Sequence, residues 1–124
     1  MEKKWREALS HLEHIMSDCG KRKVPVGFVL IPDEFQVNSS VLSTALKDAN
    51  LTRDDLDLYF PQRRLLNFCA DRTVPCLDLL PIFEGIPDMY AFRDTHWNVR
   101  GNHLAADKMA PWVTEYLSDP AASP

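Results

Sequence analysis

Glycine is scarce in this chain, with four in 124 residues. That scarcity bears on catalysis, because the strained strand-to-helix elbow that exposes a nucleophilic serine depends on small neighbours. None of the seven serines, Ser10, Ser17, Ser39, Ser40, Ser43, Ser118 and Ser123, lies in Gly-x-Ser-x-Gly or beside a Gly-Asp pair. Positive charge is also sparse. The net charge is −4, the pI is about 5.5, and the longest basic run is Lys21-Arg22-Lys23. Without a stripe to neutralise phosphates, nucleic-acid binding is excluded. Cysteine is limited to Cys19, Cys69 and Cys76, an odd number without metal-ligand spacing. The residues read as small buried apolar groups in a reducing compartment, not as a disulfide scaffold. No apolar stretch approaches the roughly 18 residues of a membrane span, and no cationic leader precedes an apolar run. A cytoplasmic protein without membrane contact is expected.

What is present is ordinary globular composition. Hydrophobic residues at 45% and charged residues at 26% separate it from disordered chains. The length suits one domain spanning 1–124, with 118–124 a frayed tail. Trp5, Ala8, Leu9, Leu12, Ile15, Met16 and Cys19 form one helical stripe, ended by Gly20. Val24–Ile31 is apolar on both faces and reads as a buried strand of a parallel sheet, closed by Pro32. "SSVLSTALKDANL" predicts a helix capped by Asn38 or Ser39, and "TRDDLDLYF" a loop with a helical turn. Pro61 opens a further helix, "PQRRLLNFCADR". "TVPCLDLLP" is a second strand, best over Val74–Leu77; residues 81–93 are turn-rich, with a third strand a candidate at 89–92. The last helix runs from Gly101 with Leu104, Ala105, Met109, Trp112, Val113, Tyr116 and Leu117 on one side. Pro111 is expected to kink or split it. Internal repeats and low-complexity segments are absent. Helices alternating with strands predict an α/β fold with a short parallel sheet covered on both faces.

Chemistry concentrates in "FRDTHWNVRGNHLAAD", residues 92–107. Asp94 and His96 are spaced as an acid that fixes an imidazole tautomer and a base that takes a proton. They follow the last strand and precede the last helix, at the carboxyl edge where open α/β sheets place their sites. Asn98 and Gly101 add tight-turn chemistry. A metal centre is not expected. His11 and His14 lie on a solvated helix face, and His96 with His103 lacks a His-Glu-x-x-His pattern. Asp78 is read as an acceptor for backbone N–H groups, Asp33 and Glu34 as solvated, Trp97 as core or lid, and Cys76 as inert. Ser39 and Ser40 stand in a strand-to-helix loop, where serine is favoured as a cap.

The block "RDTHWNVRGNHLAADKMAPWVTEYL" resembles the carboxyl-terminal block of SGNH (GDSL-type) hydrolases, which carry Asp-x-His-x-Asn, then Gly and an alanine-rich helix. "VPCLDLLPIF", "LDLYFPQRRLLNFC" and "VPVGFVLIPDEFQV" extend the resemblance over about residues 5–117. It implies that His96 is the catalytic base and Asp94 its orienting acid. It also implies a three-layer α/β/α, flavodoxin-like fold, of which this chain is the carboxyl-terminal part. The reaction implied is hydrolysis or transfer of an ester acyl group, commonly acetyl on a carbohydrate, without a cofactor. Asn102 stands where a His often follows the glycine, and His103 takes no role. The family's nucleophilic Ser, oxyanion-hole Gly and oxyanion-hole Asn all belong upstream of Val24–Ile31 and have no counterpart in residues 1–124. The chain alone is therefore expected to be inactive, and to work as a homodimer or with a separate amino-terminal chain. The alternative is a non-catalytic α/β binding or assembly module.

Overall fold

The computed structural model describes residues 2–92 and 94–118, the side chains of Leu117 and Ser118 excepted. The expected tail beyond Ser118 and the stripe position of Leu117 lie outside the described residues. Among the described residues, six α-helices and two strands follow one another: α1 (Glu2–Lys21), β1 (Phe28–Leu30), α2 (Glu34–Val37), α3 (Ser39–Asp48), α4 (Phe60–Asp71), β2 (Cys76–Asp78), α5 (Leu80–Phe83) and α6 (Val99–Ser118). A 3-10 turn at Arg53–Asp55 lies between α3 and α4. β1 and β2 pair in parallel, Phe28 against Cys76, Val29 against Leu77 and Leu30 against Asp78. The chain is thus a mixed α/β protein with a short parallel sheet.

The two strands are entered by the same local device. α1 and α4 each end with a left-handed residue, Lys23 at φ 55° and Thr73 at φ 55°. Val24 N–H then bonds the Cys19 carbonyl at 2.9 Å, and Val74 N–H bonds the Cys69 carbonyl at 2.9 Å. A proline follows each valine and carries the chain away from the helix. Gly20 consequently lies inside α1. Val24 is spent on closing α1, and Pro25 has no N–H to offer a neighbour. Together they explain why the expected eight-residue strand contracts to Phe28–Leu30, leaving Val24 at 48% and Ile31 at 62% exposed. The second strand likewise begins later than expected, at Cys76.

Pleating sends alternate residues to opposite faces. Val29 and Leu77 pack against a core of Leu79, Phe83, Met89, Tyr90 and Ala105, the last from α6. On the other face the Cys76 thiol meets that of Cys69 on α4. Farther along α6, Tyr116 donates to the Val26 carbonyl at 3.0 Å, and Trp112 sits where a Cβ on Gly27 would meet it at 2.8 Å. α1 has no fully buried residue. It lies along α4 through Trp5 edge-on to Phe60 at 5.6 Å and the ion pairs Arg64–Glu2 and Arg72–Glu13. Of its expected stripe, Ala8 and Ile15 face solvent.

Two short helices appear where loops were expected. α2 is capped by Asp33, which accepts from Phe35 N–H while Gln36 accepts from Asp33 N–H at 2.8 Å, a reciprocal box. α5 forms because Asp78 Oδ1 accepts the Leu80 N–H at 3.0 Å and Pro81 occupies its first turn. Asn38 caps α3, as one of the two expected residues. The third strand expected at 89–92 is a single antiparallel bridge, Tyr90 with Trp97. α6 begins two residues before Gly101 and runs unbroken through Pro111. The carbonyl that loses its donor there belongs to Asp107, an exposed residue, so water can replace the missing N–H.

Phe83 is fully buried at the centre of this core. Phe83→Ala should lower unfolding free energy by about 3–5 kcal/mol, read from urea melts. A loss under 1 kcal/mol, on the scale of a surface change, would show that the core lies elsewhere.

Candidate functional site

The loop between α5 and α6 is built from its aromatics outward. Trp97 stacks on Phe83 with centroids 5.0 Å apart and planes at 15°, and Tyr90 meets Phe83 edge-on at 6.4 Å. The Tyr90 hydroxyl donates to the Pro32 carbonyl at 2.6 Å, two residues past the end of β1. Burial pushes the Tyr90 phenol up, which keeps it a donor. The buried Trp97 indole N–H points towards that hydroxyl without closing a hydrogen bond. This anchor fixes the loop at the carboxyl end of the parallel strands, the expected place for a site.

The arms of the loop are joined by Asn98 N–H to the Met89 carbonyl and Ala91 N–H to the His96 carbonyl, both 2.9 Å. Between them the chain turns, with Asp94 N–H bonded to the Ala91 carbonyl at 3.1 Å. Asp94 Oδ1 then accepts twice from His96, from the backbone N–H at 3.0 Å and from Nδ1 at 2.5 Å. Those two bonds, the side-chain one first, hold the Asp94 carboxyl below the usual carboxylate range. With Nδ1–H donating to Asp94, Nε2 is the nitrogen left to accept a proton. The His96 side chain is 87% exposed and that of Asp94 52%. The two residues singled out from the sequence are therefore in contact through Nδ1 and face solvent.

Asn98 and Gly101 sit beneath them. Asn98 Nδ2 donates to the carbonyls of Asp88 at 2.8 Å and Tyr90 at 3.2 Å, and Oδ1 accepts from Gly101 N–H at 3.0 Å. A Cβ on Gly101 would meet the Met89 carbonyl oxygen at 2.2 Å and Trp97 Cβ at 2.9 Å. Glycine is thus required for the first turn of α6 to approach the loop. Asn102 donates to the carbonyls of Trp97 at 3.3 Å and Asn98 at 2.9 Å, so it serves the turn. Tyr90 stands in the sequence as part of a Tyr90–Phe92 aromatic patch, but nothing there marks its hydroxyl as the anchor to Pro32.

The remaining candidates have structural occupations. Asp78 holds the start of α5, Asp33 caps α2, and Glu34 accepts from Asn38 Nδ2 at 3.2 Å. Ser40 donates its hydroxyl to Asn38 Oδ1 at 2.8 Å, so it supports the cap without being it. His11, His14 and His103 are exposed. A groove of about 670 Å³ runs beside the loop, between Glu34–Val41 and Gly85–Phe92. Among the described residues, no three His, Cys, Asp or Glu side chains converge as a metal site. Nor is any described helix long and apolar enough to cross a membrane.

Burial raises the Cys76 thiol to about 12, with the Cys69 thiol adding to the shift. At pH 8 its thiolate is then about one molecule in 10⁴. Iodoacetamide should leave Cys76 unmodified in the folded protein at pH 8 and alkylate it in denaturant; equal rates in the two states would refute the burial argument. Gly101→Ala should destabilise by about 1–3 kcal/mol through overpacking, measured by urea unfolding. An unchanged midpoint would mean that Met89 and Trp97 yield without cost.

Comparison with known proteins found no matching family model, curated protein or solved structure, so the site's own geometry has to support any function.

Proposed function

We propose that the chain is the base-bearing part of an SGNH-like serine ester hydrolase or acetyl-transfer unit. The observation that carries this reading is the 2.5 Å contact between Asp94 Oδ1 and His96 Nδ1. The outer edge of the imidazole stays open to a reactant, at the carboxyl end of a parallel sheet. In that unit a serine hydroxyl attacks the ester carbonyl while His96 Nε2 takes its proton. Collapse of the tetrahedral adduct returns the proton to the departing alkoxide and leaves an acyl-serine, which passes its acyl group to water or another alcohol. Asp94 holds the tautomer and steadies the imidazolium.

Residues 1–124 contain no serine elbow and a second copy would bring none, so this reading draws the nucleophile and the oxyanion donors from a separate amino-terminal chain. β1 supports such an arrangement. Among the described residues it pairs only with β2, which leaves its other edge for an added strand, beside the exposed Ile31. With α4 against one side of β2 and α6 against the other, the added strands would complete a three-layer α/β/α, flavodoxin-like sandwich.

A fluorophosphonate probe tests the reading. The purified chain should remain unlabelled. The protein isolated with its native partners should carry one labelled serine, and His96→Ala should abolish that label. In that complex Asp94→Asn should lower kcat on an aryl acetate about 10⁴-fold, the scale for losing the orienting acid. Labelling indifferent to His96, or none in the complex, would overturn the assignment and favour a non-catalytic module. Light scattering is a second check: the chain alone should dimerise at roughly tens of micromolar, where open sheet edges associate. A strict monomer there would show that the free edge of β1 does not pair with a second copy.

A further inference from the structure

Asp94 and His96 are tied to each other, yet the turn that carries them projects into solvent. Its shape is therefore set where its arms meet. Two closures stand there: the Tyr90–Trp97 bridge, made by the backbone bonds from Asn98 to Met89 and from Ala91 to His96, and the side chain of Asn98. The second differs in kind from the first. Its Nδ2 spans the carbonyls of Asp88 and Tyr90 on the incoming arm, and its Oδ1 takes the Gly101 N–H in the first turn of α6. One planar amide thus ties the loop to the helix with two donors and one acceptor.

Asp88 shows what the amide sustains. Its φ of 60° is left-handed, a conformation that aspartate tolerates better than most residues and that a bond to its carbonyl helps to fix. The shortest bond from the Asn98 amide, 2.8 Å, goes to the carbonyl of that residue. Arg100, in the same first turn of α6, pairs with the Asp88 carboxylate at 3.1 Å and reinforces the same corner. Aspartate at position 98 would lack the donors, serine would be too short to reach the carbonyls, and glutamine would be one methylene too long.

We propose that Asn98 is the positioning residue of the Asp94–His96 pair, clipping the incoming arm of the loop to α6 so that the carboxylate meets Nδ1. The role rests on the reading of His96 as the base, and one experiment separates the two. The Asp94 carboxyl carbon is titrated by NMR in the wild-type protein, in His96→Ala and in Asn98→Ser. Serine still caps a helix about as well as asparagine, so this variant removes the clip and leaves the cap. Wild type should titrate below the ordinary value near 3.9, and His96→Ala above wild type, with the backbone N–H of residue 96 still lowering it. Asn98→Ser should match His96→Ala, with far-UV ellipticity retained. A wild-type midpoint in Asn98→Ser would overturn the positioning role and reduce Asn98 to a cap. A midpoint in His96→Ala unchanged from wild type would overturn the pairing itself, and with it the reading of His96 as a base held by Asp94.

A second measurement needs no variant and holds even where Asn98→Ser fails to fold. The side-chain NH₂ protons of Asn98 should exchange with water more slowly than those of the exposed Asn67. Equal rates would show that the clip does not exist.

Discussion

Phe83 is the residue on which the rest of the structure leans. Its ring has no exposed surface, and it receives Trp97 face-on and Tyr90 edge-on. A short sheet of three residue pairs buries too little to hold a domain together. The aromatic cluster makes up the difference by drawing α5, the following loop and Ala105 of α6 onto one spot at the end of the strands. Aromatic pairs of this geometry add about 0.5–1.5 kcal/mol beyond the area they bury. The same stack therefore supplies stability and sets the base of the loop that presents Asp94 and His96.

The site is rigid below and open above. Below, the Tyr90 hydroxyl reaches the Pro32 carbonyl and the Asn98 amide bonds three backbone groups, so each polar group of the clip has a partner. Above, the imidazole is mostly in water. In water its bond to Asp94 is weakened by high dielectric.

The sequence was a good guide to the longer helices, less so to their ends. The stripes of α1, α4 and α6, the cap at Asn38 and the acceptor role of Asp78 all rest on bonds between residues a few positions apart. The reciprocal box of Asp33 and Gln36 was equally local, and its Asp-x-x-Gln spacing stood in the chain as a signal for α2. Strands were harder. Apolar character over Val24–Ile31 said nothing of how many neighbours the segment would find, and pairing with one strand left its ends exposed. Residues 81–93 misled for a related reason: prolines and glycine read as turns, whereas burial of Leu80 and Phe83 stabilises a helical turn there.

By itself, then, the sequence determined where the four longer helices run to within a few residues, the caps at Asn38 and Asp78, and that an acid and an imidazole would stand two positions apart before the last helix. These are short-range consequences of hydrogen-bond reach and side-chain spacing. Tertiary structure alone decided that Tyr90 would find Pro32, that Gly101 must pass within touching distance of Met89, and that Asn98 would span two carbonyls on the opposite arm. Those contacts join residues that are distant along the chain, or that face one another only once the loop has closed. They exist because Phe83 gathers the aromatics at one end of the sheet, and no local pattern encodes that meeting.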